Sequence, residues 1–378
     1  MKRGFSLIEL MVVITIISIL SVFAMANFGG ITDKGRMAKA LSQMDELKKA
    51  VMKFAISHNG QFPRTLDEMR GSDLVSVPEN PWGRKYTMDS YFIICIMPSG
   101  DSSDPKYMKV SYRDPGWIYY NSGDEMWRVS PIGGPGKLVS SKNNNGKTPV
   151  VCKEKNYIAY SQGGIKFFDL GYPEEEASEI EVNSAHTDPC WSPEGNRIVF
   201  VDSLKDIFVV NIKTRSENYE KIQIKEDKDF KNPSFSSDGR KVVVVESTDN
   251  ELWVLDINNA VPPRRLTNKA KGQAFAPSWS NHDNVIIFSD QDGFLITISA
   301  SDYTENRNTR KDVKRADGSE VSGDNPCWSP DDSSIVYIVD NKLYTYCFNT
   351  KEEIPLENKN SDGTTTPISG TNPVWGYR

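Results

Sequence analysis

One glutamate, Glu9, interrupts the apolar run from Phe5 to Phe28. A carboxylate in hydrocarbon costs a few kcal/mol at least, so it asks for a cationic partner. No Lys, Arg or His lies within a turn or two of it inside the segment. A new α-amino group, made by a cut just before Phe5, would serve. A neighbouring subunit's amine, staggered along a bundle of such helices, would pair with Glu9 and fix the axial register of an assembly. Elsewhere the reactive residue types do not converge. The three histidines, His58, His186 and His282, have no Ser or Cys nucleophile at a recognisable spacing. Cys95, Cys152, Cys190, Cys327 and Cys347 form no C-x-x-C pair, which argues against a structural zinc site. They read as small buried apolar residues of strands, with an intramolecular disulfide as the alternative. Asp101 and Asp104 in "PSGDSSDP" read as turn residues, and no cofactor is expected. Gly163-Gly164 lacks the spacing of a phosphate loop and reads as a hairpin. The chain is therefore expected not to be an enzyme.

The elements that carry these residues follow from composition and period. A chain of 378 residues has room for two or three domains. Its net charge of −6 argues against nucleic acid as a partner. Aromatics concentrate after residue 80, which favours a β-rich body. Phe5 to Phe28 is long enough, at about 1.5 Å per residue, to cross a bilayer core as a helix. Lys2 and Arg3 before it belong on the cytoplasmic side. After Gly29-Gly30 the pattern turns amphipathic. Met37, Ala40, Leu41, Met44, Leu47, Val51, Phe54 and Ala55 recur at steps of three and four, a helix running to about Ser57. His58 reads as a solvated helix-end residue before the Gly60 cap. Strands are expected at Lys85 to Met97, Tyr107 to Arg113 and Trp117 to Asn121.

"GFSLIELMVVITIISIL" closely resembles the N-terminus of type IV prepilins and type II secretion pseudopilins. The resemblance implies peptidase cleavage between Gly4 and Phe5, N-methylation of Phe5, and a role for Glu9 in subunit assembly. "NGQFPRTLDEM" and "ENPWGRKYTM" resemble the head of major pseudopilins, in which a small sheet packs on the helix. Two departures stand out. Ala26 occupies the place of the proline that most members carry, leaving Gly29-Gly30 to loosen the helix. Asp101 and Asp104 lack the fuller ligand run of the family's calcium loop.

A second period begins near residue 148. Pro149, Pro189, Pro233, Pro277, Pro326 and Pro373 recur at intervals of 40, 44, 44, 49 and 47 residues. An aromatic follows two places later in five of the six: Trp191, Phe235, Trp279, Trp328 and Trp375. Turns such as Ser192-Pro193-Glu194-Gly195 then lead into wholly apolar strands such as Ile198 to Val201, which need both faces buried. Four-stranded units of this period fit the blades of a β-propeller, and the signature resembles the TolB-like repeat. The last unit has only a first strand. Trp117 to Ser141 would supply the other three, giving six blades, or 117–131 belongs to the head and five full blades stand. Six are favoured, because an orphan inner strand has no comfortable place in five.

The expected fold is an α+β pilin-like module followed by an all-β propeller. Its parts are a leader at 1–4, a transmembrane and assembly helix at 5–28, and an amphipathic helix with a small head at 29–116, extending to about 131 at most. Residues 117–147 are linker or closing strands, and 148–378 are the propeller. The resemblance implies a single-pass bacterial inner-membrane subunit of a type II secretion or type IV pilus-like system. Its N-terminus would be cytoplasmic and its C-terminal domains periplasmic or extracellular. The expected partners are a prepilin peptidase, other pilin or pseudopilin subunits, membrane lipid, and a protein or carbohydrate ligand of the propeller. The alternatives are an anchored propeller that never polymerises, or a propeller-borne enzyme.

Overall fold

A computed structural model describes residues 35–376 except 56, 59–62, 64, 72–73, 89–91, 98–105, 112–115, 142–145, 153–154, 181–186, 213–219, 222–227, 269–271, 301–309 and 360–363. Two compact units divide the chain, Met1–Arg113 and Asp114–Arg378. The apolar run at 5–28 with Gly4, Phe5 and Glu9 lies outside the described residues, as do Asp101, Asp104 and His186. Among the described residues no helix is long and apolar enough to cross a membrane.

In the first unit a helix over 35–55 lies against the antiparallel sheet β1 (Thr87–Met88), β2 (Phe92–Met97) and β3 (Lys106–Ser111). Ala40, Met44, Leu47 and Val51 form the buried stripe, at the helical steps that put them on one face. They pack with Met69, Tyr86, Ile93 and Cys95. Met37 and Leu41, assigned to that stripe by their period, are 43% and 48% exposed. At about 100° per residue Leu41 stands roughly a quarter-turn away from the stripe, and Met37 lies in the helix's first turn. The strand expected from Lys85 to Met97 is two strands, paired Thr87↔Ile94, so the chain reverses between them.

Asn80 shapes the turn that carries Pro81-Trp82-Gly83. Its Oδ1 accepts from the Trp82 and Arg84 amides, both at 3.0 Å, and its Nδ2 donates to Ile96 O at 3.0 Å. At 3% exposure this one side chain joins the turn to β2. Tyr86 then donates to Gln43 Oε1 at 2.8 Å, tying the start of the sheet to the helix.

The second unit is a six-bladed β-propeller of four-stranded antiparallel sheets. The inner strands of blades 1 to 6 are Lys147–Val151, Thr187–Trp191, Phe230–Phe235, Ala274–Trp279, Asp324–Trp328 and Thr371–Gly376. In blade 6 that inner strand is joined by Trp117–Ser122, Glu125–Val129 and Lys137–Leu138 from the far end of the unit's sequence. The ring therefore closes by pairing late chain with early chain. Residues 117–138 are blade strands and no part of the small head.

The wholly apolar second strands serve two interfaces at once. Ile198 and Phe200 pack towards blade 1 with Ile165 and Trp191, while Val199 and Val201 pack towards blade 3 with Phe235 and Val242. The next strand repeats the alternation, with Val242 and Val244 on one side and Val243 and Val245 on the other. Blades stacked on both faces leave neither face for polar residues.

Candidate functional site

The inner strands converge on the axis, and each is bulged there. The pairing register shifts between Lys147 and Val150 in blade 1, and at the corresponding place in every other blade. The extra residue of each bulge is the one before the repeat proline. These six, Thr148, Asp188, Asn232, Ala276, Asn325 and Asn372, have φ between 46° and 51°. That is the left-handed region, which a residue before proline ordinarily avoids in favour of an extended one. Asn and Asp tolerate it best among residues with a side chain, which accounts for their use at four of the six positions. Nothing in the proline and aromatic spacing singled these residues out, although the signal was present as the residue preceding each aligned proline.

Together they form a polar ring in an axial cavity of about 210 Å³, whose wall also carries the six repeat prolines and the inner-strand aromatics. Asn325 Nδ2 donates to Asn372 Oδ1 at 3.4 Å, and Asn121 Nδ2 donates to Gly146 O at 2.7 Å. Asp188 Oδ2 accepts from the backbone amide of Asn232 at 3.3 Å and from its Nδ2 at 3.4 Å. Burial pushes the Asp188 carboxyl above its ordinary range; the Asn232 amide, Lys205 and Lys231 offset part of that. Among the described residues the lining contains no Lys, Arg, His or Glu, and Asp188 is its one carboxylate. Those residues offer neutral hydrogen-bonding groups and hold no paired acid and base.

The signature aromatics lock one blade to the next. Trp191 Nε1 donates to Val150 O at 3.2 Å and Trp328 Nε1 to Ser278 O at 3.0 Å, each reaching the preceding inner strand. Phe235, Trp279 and Trp375 hold the same register in their blades and are equally buried. The serine after the aromatic fixes the following turn. Ser192 Oγ accepts from the Arg197 amide at 3.1 Å, and Ser236 Oγ from the Lys241 amide at 2.9 Å. Gly195 and Gly239 complete these turns at φ of 65° and 66°.

The remaining sequence candidates lie apart from the axis. His58 ends the first helix, its ring stacked on Phe54 at 3.8 Å. His282 is exposed in a blade turn, 3.4 Å from Asp332 Oδ2. Cys190 and Cys327 lie in the cavity lining, and all five cysteines are thiols. Among the described residues no three His, Cys, Asp or Glu side chains gather as metal ligands.

The fold defines the class as a six-bladed propeller with a polar axial cavity, in one chain with an amphipathic helix on a small sheet. A family model described as the prokaryotic N-terminal methylation motif matches residues 1–25. Type II secretion system core protein G of Aeromonas hydrophila is 30% identical over 104 residues, covering 23% of this chain and 72% of that protein. Its counterpart from Pectobacterium carotovorum is 33% identical over 91 residues, and that from Vibrio cholerae 33% over 90. The chain spans 56% and 60% of the length of these two relatives. By its N-terminal region the chain belongs to the type II secretion core protein G family. The propeller has its own likenesses. TolB from Acinetobacter baumannii matches with a TM-score of 0.50 at 17% identity, over 70% of this chain and 67% of that one. A chain of a nidogen/laminin complex matches with a TM-score of 0.50 at 10% identity, over 63% and 91%. At these identities the likeness is one of fold.

Proposed function

We propose that this protein is a pseudopilin-like subunit of a type II secretion system that carries a β-propeller as a non-enzymatic binding head. In this reading a prepilin peptidase cuts between Gly4 and Phe5 and methylates Phe5. The new α-amino group supplies the positive partner that Glu9 lacks within its own segment. The apolar helix at 5–28 anchors the subunit in the inner membrane before assembly, with the small head and propeller on the periplasmic side. The observation that carries the reading is the methylation-motif match over residues 1–25, which spans Gly4, Phe5 and Glu9. Core protein G relatives over the N-terminal quarter support the secretion assignment. The cavity supports binding over catalysis, since among the described residues its wall is neutral apart from Asp188.

Co-expression with a prepilin peptidase tests the reading. Intact mass should place the mature N-terminus at methylated Phe5. Glu9→Leu should be cleaved normally yet fail to join other pseudopilins in crosslinked assemblies. An N-terminus left at Met1, or cleaved beyond Ala26, would overturn the processing. Unchanged assembly of Glu9→Leu would overturn the register role.

A further inference from the structure

The amides of the polar ring all turn one way, and a backbone carbonyl sets the direction. Gly146 O can only accept, so Asn121 gives it Nδ2 at 2.7 Å and presents Oδ1. That oxygen accepts from Asn372 Nδ2 at 3.5 Å, which leaves Asn372 Oδ1 to accept from Asn325 Nδ2 at 3.4 Å. The chain ends at Asn325 Oδ1, which takes no hydrogen bond from the described residues. In blades 2 and 3 a carboxylate does the same. Ionised Asp188 only accepts, so Asn232 gives its Oδ2 a side-chain Nδ2 at 3.4 Å and a backbone amide at 3.3 Å. Asn232 Oδ1 and Asp188 Oδ1 are then left, like Asn325 Oδ1, without a donor among the described residues.

These three oxygens belong to one register of the inner strands, the bulge position of blades 2, 3 and 5. Their residues are half-buried in the cavity wall, and none of the three oxygens is sealed from solvent. The other ring positions add no free acceptor. Thr148 Oγ1 bonds to Ser161 Oγ at 3.2 Å, both polar atoms of Asn372 are engaged, and Ala276 has no polar side-chain atom. The nearby bases do not meet the Asp188 charge in the cavity. Lys231 Nζ donates to Asn250 Oδ1 at 2.7 Å, and Lys205 is no part of the lining. A carboxylate drawn into a protein wall is ordinarily paired with an opposite charge. Here the wall supplies surplus acceptors and, among the described residues, no cation.

We propose that Asp188, Asn232 and Asn325 form a subsite for a primary ammonium group, carried into the axial cavity on a slender aliphatic chain. An ammonium brings one positive charge to Asp188 and three N–H donors to three free acceptors. A guanidinium has five donors fixed in a plane, more than the ring can accept. Calcium needs six or more oxygens, and a single carboxylate with two amide oxygens falls short. The proline and aromatic surfaces of the wall give the methylenes apolar contact. At about 210 Å³ the cavity suits a side chain or a small amine and no folded surface. A lysine of a protein partner and a free alkylamine carry the same group. The inference rests on the propeller being a binding head. It does not depend on processing or assembly.

The test is a titration of the full-length protein in detergent with n-butylamine, 1,4-diaminobutane and a Gly-Ser-Lys-Ser-Gly peptide, read by calorimetry and by saturation-transfer NMR. Butanol and the same peptide with norleucine for lysine are the neutral controls. At least one amine should bind, and neither control should. Binding of the peptide alone assigns the group to a lysine, and binding of the small amines alone assigns it to a free amine. Asp188→Asn keeps the shape of the ring and should fold with an unchanged or higher melting temperature, yet bind at least tenfold more weakly, the loss of a charged hydrogen bond. Asn325→Ala uses the residue that Ala276 already places at φ near 50°, and should weaken binding about threefold to tenfold. Flat titrations with all three amines would overturn the proposal. Controls that bind as well as the amines would overturn it too, as would undiminished binding by Asp188→Asn, or calcium binding with none of the amines. An N-terminus correctly cut at Phe5 alongside flat titrations would leave the secretion reading standing while this one fell.

Discussion

Replacing one tryptophan by phenylalanine should have different consequences at two places that look alike. Trp328 and Trp279 hold the same register in blades 5 and 4, and both are buried, at 6% and 2% exposure. Phenylalanine already stands at this register as Phe235, so the backbone accepts it. Both substitutions remove the same atoms, and the packing losses should be similar. The hydrogen bonding differs. Trp328→Phe deletes the 3.0 Å bond from Nε1 to Ser278 O, a net loss of about 1 kcal/mol. Trp279→Phe deletes an N–H that is buried without a partner, and so relieves a desolvation cost of about 1–3 kcal/mol. Trp328→Phe should therefore be less stable than Trp279→Phe by about 2 kcal/mol or more. Urea unfolding of the detergent-solubilised full chain, followed by far-UV circular dichroism, gives both values without relying on tryptophan emission. Two variants equal within about 0.5 kcal/mol, or Trp279→Phe the weaker, would refute this pairing logic.

Three further outcomes follow from other parts of the molecule. Gly195→Ala forces a Cβ towards Cys152 Sγ at a φ of 65°, and should cost about 2 kcal/mol or more in thermal unfolding. Burial raises the Asp188 pKa in the folded state, so the protonated form is favoured there and ionisation opposes folding. Asp188→Asn should accordingly raise the melting temperature at neutral pH, with the gain shrinking as pH falls towards the ordinary aspartate range; no gain at pH 7 would refute this. Removing 371–378 takes the inner strand from blade 6 and uncovers Ile118, Tyr119 and Tyr120; limited proteolysis should then cut 117–138 at protease levels that the intact chain resists.

The propeller was legible because its repeat is written in residue types that do one job each. The prolines, the aromatics and the wholly apolar strands recur whatever fills the loops. Closure was legible because the strand around Trp375 needed three partners and Trp117 to Ser141 offered them. The axial ring was harder to see. A residue before proline is expected to be extended, and only the bulge, which depends on cross-strand register, turns six such residues left-handed. Ala276 stands out as the ring's one apolar member only once the bulges of the inner strands are aligned. In the small unit the turn residues Pro81 and Gly83 were recognisable, but the side chain that organises them, Asn80, looks in sequence like any loop asparagine. The exposure of Leu41 follows from its quarter-turn offset from the buried stripe, which a list of apolar residues at helical steps does not resolve.

The shared sixth blade sets the order in which this molecule can be completed on the ribosome. Trp117–Ser122, Glu125–Val129 and Lys137–Leu138 are made before any other blade, yet their inner strand is not made until Thr371–Gly376. Through all of that synthesis the edge that will meet Trp375 stays unpaired, with Ile118 and Tyr120 waiting to be covered. An unpaired apolar edge is a template for the wrong strand. The five internal blades, by contrast, can each form as their own chain emerges. A growing chain of this protein thus carries its greatest aggregation hazard for its longest interval next to the N-terminal unit, and a holdase that shields residues 117–138 would do more for its yield than help given to any later blade.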